Sequence, residues 1–282
     1  MMTKHTETNV LVAIYAVTAA LWVFFVAYTG HTALYEGPIF EYVLKPFLIG
    51  MTVLPLVGGW LGIRKALLWG GLRSAVGRGM IFLSLGTISW GLGMVVWNYY
   101  LFFTGTEVPY PSLADLFFIM IWIFWTYGMF QMGKATGVKF GFRSAAGKIL
   151  SFVLPLVVIF LSYYLLVTVA KGGQIDISGN LAQTLLEFLY PIGDMAILST
   201  AFLVFFLSYR YLGGMYKGQI RILLFCFVLN YIADLIFVFT TAGEAPTYFN
   251  GHLVDLLYTT IMFLVSVSVC LIDPRKLDRR SS

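Results

Sequence analysis

Tyr110-Pro111-Ser112-Leu113-Ala114-Asp115 leads directly into an apolar run from Leu116 to Met132. This joining of a tyrosine-led stretch, a carboxylate and a long apolar segment decides the fold, and it recurs twice, the first time again with Tyr-Pro. Tyr190-Pro191-Ile192-Gly193-Asp194 leads into Met195–Tyr209, and Tyr248-Phe249-Asn250-Gly251-His252-Leu253-Val254-Asp255 leads into Leu256–Ile272. Each copy sets a carboxylate at or near the start of a segment long enough to cross a bilayer, because about 20 helical residues span a hydrocarbon core of ~30 Å.

The first and third copies are alike over a longer stretch. Asn98 stands six positions before the threonine of the pair Phe103-Thr104, and Gly105, Glu107 and Pro109 follow before Asp115. Asp234 stands six positions before the threonine of Phe239-Thr240, and Gly243, Glu244 and Pro246 follow before Asp255. This order, kept with small insertions, reads as a duplicated helical hairpin.

Composition supports the same class. Of 282 residues, 60% are hydrophobic and only 11% charged, too few charges for an ordinary soluble domain of this size. The expectation is an all-α polytopic membrane protein with eight transmembrane helices arranged as four hairpins with internal repeats. Strands of a transmembrane barrel would alternate polar and apolar residues, and these runs do not. Cys226 and Cys270 both lie inside apolar runs and read as core thiols rather than a disulfide.

In chain order, residues 1–9 form a polar tail. The spans are Val10–Tyr28, Tyr42–Ile63, Gly79–Phe103, Pro111–Gly133, Ile149–Ala170, a sixth within Leu181–Tyr209, Ile220–Thr240 and Gly251–Ile272. The transmembrane domain thus covers residues 10–272, and 273–282 form a basic tail. Gly30–Glu41 reads as a loop. Pro46 and Pro55 should bend the second helix. Pro191 should divide Leu181–Tyr209 into an interfacial stretch and a span.

Charge then sets orientation. Of the 18 basic residues, 16 fall on one side, in the tails, in the connections Arg64–Arg78, Lys134–Lys148 and Arg210–Gln219, and at Arg221 just beyond; only Lys45 and Lys171 fall on the other. The positive-inside rule places both termini in the cytoplasm of a cell-membrane protein. Ten of the 13 acids sort to the outer half. A net charge of +5 therefore reflects topology and the anionic bilayer, not nucleic-acid binding.

The candidate ligand-binding set lies in that outer half: Asp115, Asp194, Asp234, Asp255, Asn98, Glu187, Tyr110 and Tyr190. Ionisable groups inside spans are costly and point to function by default. A second account stands beside this one. Ser112 and Asp115 have capping-box spacing, and a carboxylate in a first turn suits the helix dipole. Asp194 and Asp255 lie deeper past their expected helix starts, where capping explains them less well. Glu187 and Asp194, seven apart, share a helical face unless Pro191 rotates one away. Asn98 and Asp234 either make interhelical hydrogen bonds or face Asp115 and Asp255 across each hairpin.

Other chemistries find little support. Gly193-Asp194 lacks the first glycine of an intramembrane aspartyl protease element. His31 and His252 lack ligand spacing and read as loop or interfacial histidines, so no metal ligands are assigned. No phosphate-binding glycine loop has its strand context. Gly86, Gly91 and Gly93 read as close-packing sites. The last span has no lysine to anchor retinal. No catalytic residue and no cofactor is assigned, and an enzyme is the least favoured class.

Pro109 to Phe117, Tyr190 to Asp194 and Val254-Asp255-Leu256-Leu257-Tyr258 resemble the multi-span membrane sensor regions that precede diguanylate cyclase, phosphodiesterase and histidine-kinase domains in prokaryotes. The resemblance covers roughly Met80 to Ile272 and implies sensing through the membrane. No output domain follows the last span, so the expected function is a stand-alone sensor or accessory protein that acts through a separate cytoplasmic or membrane partner. The alternatives are a cation- or proton-coupled small-molecule transporter, which also suits duplicated hairpins and embedded acids, and a structural subunit of a larger complex.

Overall fold

A segment in lipid must satisfy its backbone hydrogen bonds internally, so long apolar runs become helices. The computed structural model describes residues 6–104, 108–136, 138, 143–170, 172–173, 181–208, 217–241 and 246–274. Among them it is all-helical, with eight helices long and apolar enough to cross a membrane. They are α1 (Thr6–Thr29), α2 (Gly37–Leu68), α3 (Ala75–Thr104), α4 (Leu113–Ala135), α5 (Ala145–Val169), α6 (Leu181–Ser208), α7 (Lys217–Thr241) and α8 (Leu253–Cys270). The expected loop at 174–180, most of the basic connection at 210–219 and the basic tail from 275 lie outside the described residues.

Several boundaries differ from expectation for local reasons. The second helix starts at Gly37, with a proline in its first turn where the missing N–H costs nothing, and widens into π-type turns at Phe40–Leu44. It runs on to Leu68, so Arg64 and Lys65 belong to the helix and not to a connection. Ser74 caps α3 by accepting a hydrogen bond from the Gly77 N–H at 2.9 Å. Pro191 does not divide α6: the helix is continuous from Leu181 to Ser208. The last helix starts at Leu253 with His252 as N-cap, which puts Asp255 in its first turn and not deep in a span.

The last helix is the centre of the bundle. It packs against α1, α2, α3 and α7. The rest of the wall follows the chain from α1 to α4, crosses from α4 to α6, and returns through α7. α5 sits outside this wall against α6 and α7. Small residues permit the close approaches. A Cβ on Gly86 would collide with Trp125, one on Gly93 with Phe118, and one on Gly91 would come to 2.8 Å from Leu56. Close packing at these three glycines is therefore their role.

One end of the bundle is tied by charge. Lys65, 4% exposed, pairs with Glu7 at 2.5 Å and with Asp273 at 3.1 Å. The starts of α1 and the end of α8 thus meet at the end of α2. The Trp69 indole N–H adds a bond to the Ile272 carbonyl at 2.9 Å. The Tyr-Pro-Asp elements lie toward the far end.

Candidate functional site

Asp115 is the third residue of α4's first turn after its cap. Its carboxylate accepts the Ser112 N–H at 2.6 Å while Ser112 caps the helix, a complete capping box. The remaining oxygen accepts the Tyr190 hydroxyl of α6 at 2.6 Å. Asp255 repeats this arrangement. It accepts the Gly251 N–H at 2.7 Å and the Tyr248 hydroxyl at 3.1 Å. Both carboxylates therefore hold a helix start and a tyrosine together. Burial, then the Asp255 charge, pushes the Tyr248 hydroxyl well above its ordinary range, so it stays a donor.

Asp194 and Asp234 are different. Neither sits at a helix start and neither accepts a backbone N–H. Asp194, 3% exposed, accepts the Trp122 indole N–H of α4 at 2.9 Å. Asp234 accepts the Asn230 amide at 2.6 Å from one turn earlier and the Tyr258 hydroxyl of α8 at 2.6 Å. The two carboxyls lie close enough to act on each other electrostatically across the α6–α7 contact. Among the described residues no lysine, arginine or histidine pairs with any of the four acids.

The four acids are thus linked in series. Asp115 reaches Tyr190, whose ring meets that of Trp122 edge to face at 4.9 Å, and Trp122 holds Asp194. Asp194 meets Asp234, and Asp234 holds Tyr258, which lies within the electrostatic reach of Tyr248 and hence of Asp255. The hydroxyl of Tyr231, a residue only 8% exposed, lies toward Ser162 and Asp194 without completing a hydrogen bond.

Not every expected residue joins this chain. Asn98 donates to the Leu48 carbonyl at 3.2 Å and to Thr52 at 2.8 Å, both on α2. It makes an interhelical bond and does not face Asp115. Asp234 likewise faces Tyr258 and Asp194 rather than Asp255. Tyr110 is half exposed; burial, then the charges of Glu187 and Asp115, raises its hydroxyl above the usual range. Glu187 and Tyr110 therefore stand at the outer edge of the network, with Glu187 partly buried on α6. Trp122, Tyr258, Asn230 and Tyr231 were missed. Asn230, four residues before Asp234 on one helical face, had a readable signal; Trp122 had none.

His31 and His252 also meet, with ring centroids 5.1 Å apart. No family model, curated protein or solved structure matches the chain.

Proposed function

We propose that this chain is a membrane sensor or accessory protein whose acid–tyrosine network receives a small ligand or a partner in the outer half of the bilayer. The observation that carries this reading is the Asp194–Asp234 pair. Capping accounts for Asp115 and Asp255, but two adjoining carboxyls inside a span, without a basic partner among the described residues, do nothing for a helix end. Such a place favours a cation, an amine or a ligand rich in hydroxyls.

The eight spans are read as four hairpins containing a duplication, with both termini cytoplasmic. The matching environments of Asp115 and Asp255 support the duplication. The ion triad supports a common side for both termini, because it gathers Glu7, Lys65 and Asp273 at one end. Charge bias supplies the direction.

The test is a thermal-shift and Trp-fluorescence screen of small amines, polyols and inorganic cations on the full chain in detergent. Trp122 is a built-in reporter because its indole touches Asp194. A ligand shift that disappears in Asp194→Asn and Asp234→Asn, with the apo melting temperature kept, supports the reading. Variants that bind as the parent does would overturn it. The same carboxyl pair also suits cation-coupled transport; substrate uptake into proteoliposomes driven by an ion gradient would favour that second reading.

A further inference from the structure

We propose that His31 and His252 form an exchangeable site for a late first-row transition ion, Zn2+ or Cu2+. The two residues come from opposite ends of the sequence, one in the turn after α1 and the other at the N-cap of α8. Their rings lie 5.1 Å apart, with planes tilted by 31°. With metal–nitrogen bonds of about 2.1 Å, two imidazoles on one tetrahedral ion hold their centroids about 5 Å apart. The separation is therefore that of a shared ion.

The ligand atoms can be named. The Nδ1 of His252 accepts the Val254 N–H at 3.3 Å as the helix cap, which leaves its Nε2 for a metal. The Nδ1 of His31 is buried and has no hydrogen-bond partner. Buried polar atoms are rarely left this way, and each one asks for a partner. His31 also holds a φ of +65°, the left-handed region that residues other than glycine seldom enter. Strained backbone of this kind clusters at ligand clamps.

The surroundings suit the site. Trp22 and Phe249 present ring edges to His31 at 6.4 and 5.3 Å. The Trp22 indole N–H bonds the Gly251 carbonyl at 3.0 Å and so fixes α1 against the turn that carries His252. Imidazole pairs select zinc and copper over the hard ions that carboxylates prefer. Two protein nitrogens leave positions open for water or an outside ligand, so the ion can exchange. The histidines lie apart from the Asp194–Asp234 pair, and this site stands or falls separately from the function proposed above.

The experiment uses the full chain, purified in detergent through a tag without histidine. Cu2+ is followed by electron paramagnetic resonance and Zn2+ by calorimetry. The expected result is one ion per chain with nitrogen couplings from two imidazoles. His31→Asn and His252→Asn should each weaken binding by more than about 100-fold, beyond what losing a supporting hydrogen bond costs. Both variants are chosen to fold: asparagine tolerates a left-handed backbone and is a good N-cap. The chain's third histidine, His5, serves as control, and His5→Ala should bind as the parent does. On the unsubstituted protein, Zn2+ should protect His31 and His252 from diethyl pyrocarbonate, read by mass spectrometry. Absence of stoichiometric binding, binding unchanged in either asparagine variant, or loss of binding with His5→Ala overturns the site.

Discussion

Trp122 and Asp194 are joined by an indole-to-carboxylate hydrogen bond of 2.9 Å, and Gly193 is what lets them meet. A Cβ at position 193 would collide with the Trp122 ring. Gly193→Ala should push α4 from α6 and stretch this bond. Overpacking of this kind costs about 1–3 kcal/mol. Thermal unfolding in detergent, paired with the fluorescence of Trp122 by difference from Trp122→Phe, checks both effects. A variant as stable as the parent with unchanged emission refutes the tight contact.

Tyr258 and Tyr190 hold two carboxylates, but the carboxylates differ in what remains to them. Asp115 keeps the Ser112 N–H and hydroxyl when Tyr190 is shortened to Phe. Asp234 keeps only the Asn230 amide and its neighbouring carboxyl when Tyr258 is. Losing a hydrogen bond to a buried charged group costs about 1.5–3 kcal/mol. Tyr258→Phe should therefore lower the melting temperature more than Tyr190→Phe does, and the reverse order would count against the pair being the sensitive element.

Lys65 compensates two acids at once. Lys65→Met removes the cation that Glu7 and Asp273 both pair with, a change worth about 3–5 kcal/mol in buried pairs. The triple variant Lys65→Met, Glu7→Gln, Asp273→Asn should recover most of that loss. Chemical or thermal unfolding of the two proteins side by side decides it; no recovery would mean that Lys65 acts through packing of its stem.

Orientation is open to a direct measurement. Both native cysteines are buried, so the parent is a quiet background for thiol labelling. Thr32→Cys, in the exposed turn after α1, should react with an impermeant reagent on intact cells, and Ser144→Cys, the N-cap of α5, should not. The opposite pattern would invert the topology.

Much of the fold was legible because a bilayer admits few backbone solutions, and 18-residue apolar windows report them almost without competition. All eight helices overlap the expected spans. The misplaced edges came from rules that local context overrides. Gly30–Glu41 reads as a loop, yet Pro38 within it opens a helix, and Pro191 reads as a breaker where the helix continues. The site was less legible. Ser112 and Asp115 announced their capping box because its spacing is local. The duplicated motif led to Asp255 but misjudged its depth, since the helix start depends on His252 as cap. Asn98 and Asp234 looked equivalent along the chain, yet Asn98 turns to α2 and Asp234 to α8. Partners on other helices, such as Trp122 for Asp194 or His31 for His252, leave no trace in spacing.

The place of α8 at the bundle's centre has a consequence for how the protein is made. The notch on α2 at Gly58 is filled by Ser266 of α8, and the one at Gly62 by Ser84 of α3 together with Val269 of α8. Ser266 and Val269 are synthesised after the first seven helices. The early helices must therefore wait in the membrane, open along the surface that the last one will occupy, and the order of synthesis runs opposite to the order of closure. A chain halted before Leu253 lacks the helix that contacts α1, α2, α3 and α7, whereas the same delay placed after Cys270 leaves every one of those contacts available.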